Sequence, residues 1–184
     1  MFFFKDNPPT GVMYAYGAYQ PIFEKMENTI PNFILHDGVP SSQEIEAFTS
    51  DLSHRVLILD DLYSKISQSP EMADLFTKGS HHRNHSVFFI TQNIFCQGKC
   101  MRTISLNTNY ITLFKNLRDA SQISTLGRQL YPGQVKGFLE CYEDATSLPY
   151  TYLTIDLSPH SDKKYRLRSH IFPGEDTVIY NITR

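Results

Sequence analysis

Two uninterrupted apolar segments, residues 56–59 (Val-Leu-Ile-Leu) and 87–90 (Val-Phe-Phe-Ile), constrain the fold of this chain more than any other feature. Neither segment alternates apolar with polar residues, and this pattern is typical of a strand that is buried on both faces. Helical patterns separate these segments from each other and from the β-prone residues 12–16 and 32–36. The alternation of strands and helices predicts an α/β domain with a mostly parallel sheet flanked by helices.

The rest of the chain extends this prediction. Residues 110–114 (Tyr-Ile-Thr-Leu-Phe) are expected to form a third apolar strand, following those at 56–59 and 87–90. Residues 150–156 and 165–168 are expected to form a late antiparallel hairpin, joined by the turn-rich residues 158–162. The length of 184 residues suits a single domain, because domains typically contain about 100–150 residues.

Composition excludes several classes of protein. No apolar run approaches the roughly 20 residues that a membrane-spanning helix needs, so no membrane association is expected. Three cysteines are too few for a disulfide scaffold, and they indicate a reducing compartment.

Charge is unevenly distributed along the chain. The net charge of −2 conceals a first block, residues 1–77, with a charge of −7 and a middle block, residues 78–136, with a charge of +7. A basic block in an otherwise acidic chain suggests a polyanionic partner such as DNA or a nucleotide phosphate. The alternative is a solvated basic face that is balanced by the acidic first third.

Polar pairs follow the apolar strands, namely Asp60-Asp61, Gln92-Asn93 and Arg118-Asp119. In parallel sheets ligands bind beyond the carboxyl ends of the strands. Four apolar residues before two acids fit a Walker B segment, in which Asp60 would hold Mg²⁺ and Asp61 would orient or deprotonate the attacking water. Gln92, at the end of the next strand, could sense the γ-phosphate. Acid pairs at strand ends also cap helices and bind loops, and that alternative stays open.

Two other segments bear on phosphate and metal binding. No segment matches the phosphate loop G-x-x-x-x-G-K-[ST], because Gly98-Lys99 is followed by Cys100 and no glycine stands five positions earlier. A second cluster could hold zinc, contact phosphate, or consist of capping histidines beside ordinary thiols. Its members are His81, His82, His85, Cys96 and Cys100.

Several segments of the chain resemble a known family. They are VLILDDL, LFTKGSHHRNHSVFFITQN, RTISLNTNYITLFKNLRD and LGRQLYPG, with flanking YAYGAYQPIFEKM and YLTIDL…YRLRSHIFPG. Together they are similar to genome-packaging ATPases of the FtsK/HerA superfamily, in particular those of Polinton/Maverick-type elements and adintovirus-like viruses. The similarity extends over roughly residues 12–173 and is most specific where GSHHRN and TQN stand at matching separations.

This resemblance implies an ATP-driven motor that moves double-stranded DNA into a capsid, usually as a homo-oligomeric ring, with ATP and Mg²⁺ as cofactors. It implies that Asp60 and Asp61 are the Walker B acids and that Gln92 is the polar residue after the next strand. Arg118 is the first candidate for an arginine that reaches a neighbouring subunit's ATP. Further candidates for this role or for DNA and phosphate contacts are Arg83, Lys99, Arg102 and Arg128. The resemblance also implies an intracellular location, in host cytoplasm or nucleus, or in association with the virion.

The family's Walker A segment is expected just before the strand at residues 12–16, and the chain begins too late to contain it. Residues 1–184 are therefore expected to form one P-loop (RecA/ASCE-like) domain that lacks its first strand and phosphate loop, from a truncated or degraded gene. Such a sheet should have unpaired edges or a groove between its strands. Two rival functions stay open: a non-catalytic fragment that binds DNA or partner subunits, and a Mg²⁺-dependent nuclease that uses Asp60 and Asp61.

Overall fold

The computed structural model describes residues 7–51, 53–79, 84–95 and 99–182. The described residues up to Asn107 form one compact unit, and those from Thr108 onward form another. Each unit contains its own four-stranded sheet. The single domain expected for residues 1–184 stays a prediction, because compact units of this kind occur both as halves of one domain and as separate domains.

The first unit alternates strands with helices. Its elements are β1 (Gly11–Tyr16), α1 (Ile22–Thr29), β2 (Phe33–Asp37), α2 (Ser42–Phe48), β3 (Arg55–Asp60), α3 (Tyr63–Ile66), α4 (Pro70–Asp74), a π-helical turn (Leu75–Gly79), β4 (His85–Ile90) and α5 (Lys99–Leu106). The strands pair in the order β2-β1-β3-β4, and every pair is parallel. The predicted α/β architecture with a parallel sheet flanked by helices is confirmed. Of the expected unpaired edges or groove, there is no groove, because β1, β3 and β4 are direct neighbours. In the part of the chain that the structure describes, β4 is an edge strand that pairs only with β3.

Side chains pack on both faces of this sheet, which explains why its central strands carry no polar alternation. On one face Met13, Leu57 and Leu59 pack against residues of α2 to α5, and Leu59 is fully buried. On the other face Phe23 of α1 packs against the ring of Tyr14, with 5.0 Å between the ring centroids. Burial of a strand on both faces favours an apolar residue at nearly every position.

Hydrogen-bonded caps begin three helices where the sequence patterns indicate. Ser41 and Glu44 form a capping box at α2, in which the Ser41 amide donates to the Glu44 carboxylate at 2.7 Å. That bond, the Ser41 hydroxyl and His36 together lower the pKa of Glu44 to about 2. Ser69 caps α4 by accepting from the Met72 amide at 3.3 Å. The third cap, at the helix after residue 119, belongs to the second unit.

The second unit is an antiparallel sheet with two helices. Its elements are β5 (Tyr110–Phe114), α6 (Ala120–Leu130), α7 (Val135–Ala145), β6 (Tyr152–Asp156), a 3₁₀ turn (Lys163–Tyr165), β7 (Leu167–Ser169) and β8 (Val178–Tyr180). The strands pair in the order β5-β6-β7-β8, and every pair is antiparallel. The hairpin of β6 and β7 therefore agrees with the sequence prediction.

The prediction for residues 110–114 needs correction. This strand does not belong to the parallel sheet, because β5 pairs with β6 and runs antiparallel to it. Its burial alternates at the end of the strand, where Leu113 is buried while Thr112 and Phe114 are exposed. The polar residue Thr112 reflects this one-sided burial, because antiparallel sheets commonly have one face exposed to solvent. In the part of the chain that the structure describes, no helix is long and apolar enough to cross a bilayer.

Candidate functional site at the carboxyl edge of the parallel sheet

The carboxyl ends of the parallel strands bring the acidic pair and Gln92 to the same edge. The register places Asp37, Tyr16, Asp60 and Ile90 in one row across β2, β1, β3 and β4. Asp61 follows β3 directly, and Gln92 follows β4 after one intervening residue. Two of the three predicted polar pairs thus lie after neighbouring parallel strands, which is where ligands bind in sheets of this kind. Their catalytic roles stay predictions.

Asp60 is held by a buried tyrosine of the neighbouring strand. The hydroxyl of Tyr14 donates to Oδ2 of Asp60 at 2.7 Å, and Asp60 itself is half-buried. Burial of the phenol, followed by the hydrogen bond and the negative charge of Asp60, raises the pKa of Tyr14 above its usual range. Tyr14 therefore remains a hydrogen-bond donor throughout the range in which proteins are normally handled. Oδ1 of Asp60 has no hydrogen-bond partner among the described residues.

The backbone next to Asp60 turns sharply at the end of β3. Asp61 is exposed and has a φ of 54°, in the left-handed region that aspartate tolerates better than most residues. The amide of Gly17, just after β1, donates to the carbonyl of Asp60 at 2.9 Å. A Cβ on Gly17 would overlap the carbonyl of Asp61, so only glycine permits this approach. The two strand ends are therefore fixed against each other.

The loop after β4 leaves Gln92 accessible. Its neighbours hold the loop: the Asn93 amide donates to Oγ1 of Thr91 at 3.3 Å, and the Phe95 amide donates to Oδ1 of Asn93 at 3.0 Å. Gln92 is exposed, and its side-chain amide has no hydrogen-bond partner in the described part of the chain. Gln92 is thus free to contact a ligand at this edge.

The third predicted polar pair belongs to the second unit. Arg118 and Asp119 follow β5 of the antiparallel sheet in the second unit, so they do not extend the edge formed by Asp60 and Gln92. Asp119 caps α6, where it accepts from the Gln122 amide at 3.3 Å and from the Gln122 side chain at 2.6 Å. Arg118 is exposed, and its guanidinium contacts no acceptor within the described ranges. Its role as an arginine that acts across an interface stays a prediction.

The remaining basic candidates are dispersed. Arg102 on α5 belongs to the first unit and Arg128 on α6 to the second, and both are exposed. Arg128 donates to Oγ1 of Thr125 at 2.9 Å. Arg83 and the side chain of Lys99 lie outside the described residues. The +7 block of the sequence is therefore divided between two sheets.

The donor set at the edge suits Mg²⁺ better than a metal that needs a complete protein cage. Among the described residues there is no group of three or more His, Cys, Asp or Glu that could hold a metal. Asp60 and Asp61 offer two carboxylates, and Mg²⁺ is usually held by one or two carboxylates together with waters and substrate phosphates. In the suggested zinc cluster, His81, His82 and Cys96 lie outside the described residues, while His85 is buried in β4.

Sequence reasoning missed Tyr14, which it assigned only to a strand. Tyr14 pairs with Ile58, two residues before Asp60, so its contact with Asp60 depends on the β1–β3 register. No spacing within the sequence encodes that register. Sequence reasoning also missed a cleft of about 340 Å³ in the second unit, at the end of β5. Among the described residues that line it, Lys115 alone is charged.

Comparison with known proteins adds no relative: no family model matches the chain, and no curated protein or solved structure matches it. Function is therefore inferred from the geometry of this edge and from the sequence motifs.

Proposed function

We propose that this chain carries the Walker B half of an ATP-driven motor that moves double-stranded DNA into a capsid. One observation carries the proposal: the apolar strand β3 ends in Asp60-Asp61, and the parallel strand beside it is followed by Gln92. This arrangement is what a P-loop ATPase of the FtsK/HerA type needs at its hydrolytic edge. The resemblance of the sequence to packaging ATPases supports the same assignment.

Each residue at the edge would have a separate role. Bound Mg²⁺-ATP supplies the phosphoanhydride bond and the charge that must be neutralised in the transition state. Asp60 would hold Mg²⁺, directly or through a water molecule, with the oxygen that Tyr14 leaves available. Asp61, exposed beside it, would orient or deprotonate the attacking water. Gln92 would contact that water and the γ-phosphate.

The basic residues would contact DNA phosphates and the ATP site of a neighbouring subunit. Exposed Arg102 and Arg128 are suited to phosphate contacts, which make affinity for DNA fall steeply with salt. Arg118 would complete a neighbour's ATP site in a homo-oligomeric ring, where an arginine stabilises transition-state charge. Capsid components would be the remaining partners.

The test is DNA-stimulated ATP hydrolysis by an extended protein, in which the Walker A segment of a packaging ATPase is joined before residue 1. Asp61→Asn should abolish turnover and leave Mg²⁺-ATP binding intact, while Gln92→Ala should slow hydrolysis by about 10²–10⁴-fold. Asp37→Asn is the matched control, because Asp37 is an exposed acid at the end of β2 on the same edge. Wild-type turnover in both Asp61→Asn and Gln92→Ala would contradict the proposal.

The same extended protein and its variants distinguish the two alternative functions. A fragment that only binds DNA would retain DNA without any turnover in the extended protein. A nuclease would cleave DNA with Mg²⁺ and no nucleotide, and Asp61→Asn would stop that cleavage.

A further inference from the structure

The contact between Tyr14 and Asp60 joins two neighbouring strands by their side chains. Tyr14 is 8% exposed, and its hydroxyl lies 2.7 Å from Oδ2 of Asp60. The phenol is itself held by aromatic neighbours, with the rings of Phe23 and Phe33 at 5.0 and 6.2 Å between centroids. A ring packed in this way has little freedom to turn, so the hydroxyl stays at one position.

The backbone of Asp60 is fixed as well. The Gly17 amide donates to its carbonyl at 2.9 Å, and β3 pairs with both β1 and β4 along its length. With the main chain and Oδ2 both held, the carboxylate of Asp60 cannot rotate without breaking the bond to Tyr14. Oδ1 then has both lone pairs available to a ligand, whereas Oδ2 keeps only the one that Tyr14 does not use.

We propose that Tyr14 is a positioning residue for Asp60: its bond to Oδ2 orients the carboxylate so that Oδ1 meets a divalent cation or a cation-bound water. This inference rests on the proposed function of the carboxyl edge as a Mg²⁺ site. Removing a residue that hydrogen-bonds to a metal ligand typically lowers metal affinity or activity by about 10–100-fold. Tyr14 would be such a residue, because it hydrogen-bonds to Asp60.

The chain provides its own control. Tyr16 lies on the same strand and the same face as Tyr14, two residues closer to the edge, and its hydroxyl makes no hydrogen bond within the described residues. Tyr14→Phe and Tyr16→Phe remove the same atom from the same strand. Only the first removes the bond to Asp60.

The experiment titrates Mn²⁺ alone into the 184-residue chain and follows free Mn²⁺ by electron paramagnetic resonance. We expect Asp60→Asn to abolish the tightest binding, Tyr14→Phe to raise its Kd by about 10-fold, and Tyr16→Phe to leave the Kd unchanged. Thermal melts of each variant identify loss of folding. If Tyr14→Phe melts early, the comparison is repeated well below its melting temperature, with Mn²⁺ broadening of the Gly17 and Asp61 amide NMR signals as the readout.

Each outcome decides the proposal. A lower melting temperature in Tyr14→Phe with an unchanged Kd would mean that Tyr14 is merely structural, and the proposal would be overturned. It would also be overturned if the unsubstituted chain bound no Mn²⁺, or if Asp60→Asn bound it normally. Tyr14-dependent Mn²⁺ binding without ATP turnover in the extended protein would instead refute the proposed function and leave this inference standing.

Discussion

Replacing Gly17 with alanine tests whether the end of β1 and the turn after β3 are fixed against each other. A Cβ at this position would lie under 3.0 Å from the carbonyl oxygen of Asp61, a distance that real Cβ atoms essentially never show. Backbone cannot swing aside as a long side chain can. The strand ends must therefore separate, and the bond from the Gly17 amide to the Asp60 carbonyl, 2.9 Å long, must lengthen or break.

The expected destabilisation follows from these two effects. Forcing an extra methyl group into a packed position typically costs about 1–3 kcal/mol, and a lost backbone hydrogen bond contributes about 0.5–1.5 kcal/mol. Alanine recovers about 0.4–1 kcal/mol by restricting the unfolded chain. We therefore expect Gly17→Ala to lower the free energy of unfolding by about 1–3 kcal/mol.

Gly11→Ala is the matched control at the opposite end of β1. Its Cβ would overlap the guanidinium of Arg55, which is the end of a flexible side chain. Moving that group weakens its ion pair with Asp51, and exposed pairs of this kind are worth about 0–1 kcal/mol. Urea unfolding followed by far-ultraviolet circular dichroism measures both variants, since the chain has no tryptophan. The reasoning is refuted if Gly17→Ala is as stable as the unsubstituted chain, or if Gly11→Ala is destabilised equally.

Three further predictions concern other parts of the chain. Because the pKa of Glu44 is lowered from 4.5 to about 2, the stability that its capping contacts provide is fully present above pH 4.5 and is lost as the pH falls toward about 2. Urea unfolding between pH 5 and pH 2 should therefore show a weaker pH dependence in Glu44→Gln. Gly127→Ala should destabilise the second unit by up to about 2 kcal/mol despite better helix propensity, because its Cβ would lie 2.7 Å from the Phe138 ring; calorimetry measures this. In assembled rings of the extended protein, Arg118→Ala should lose ATPase activity and regain part of it when mixed with Asp61→Asn, since an arginine in trans is worth about 10³–10⁵ in rate.

The sequence predicted the parallel sheet because its strands are buried on both faces. Residues 56–59 and 87–90 have no polar alternation, and they lie within β3 and β4. The capping box of Ser41 and Glu44 was equally predictable, because its hydrogen bonds join residues three apart. Local patterns of this kind predict elements well, since the interactions that produce them are themselves local.

Predictions that depended on distant pairing were less successful. The strand β5 could not be assigned to a sheet from its own five residues, because its partner β6 lies about forty positions later. The short strand β8 was missed for a similar reason: it has only three residues, and it exists through its pairing with β7. The contact of Tyr14 with Asp60 belongs to the same class, since the β1–β3 register brings these residues together.

The structure offers two explanations for Asp60, and they predict different effects of Mg²⁺ on the stability of the chain. If Asp60 serves only to accept the bond from buried Tyr14, then asparagine can replace it, because an amide oxygen also accepts. Asp60→Asn should then be nearly neutral, whereas Asp60→Ala should lose about 1–3 kcal/mol by leaving the Tyr14 hydroxyl without an acceptor.

A metal-binding role for Asp60 predicts a further effect, which depends on the negative charge at this edge. Asp61 follows Asp60 directly, and Asp37 lies in the same row two strands away, so the edge gathers negative charge. Lys65 Nζ lies near Gly38 at this edge, but within the described residues none of the three carboxylates forms an ion pair. Sites that concentrate like charge are often retained for function at some expense of stability. Asp60→Asn should therefore be at least as stable as the unsubstituted chain in urea unfolding without metal, and Mg²⁺ should stabilise the unsubstituted chain more than the variant. If Asp60→Asn is destabilised as strongly as Asp60→Ala, the charge itself supports the fold, and the assignment of this edge to Mg²⁺ loses its basis.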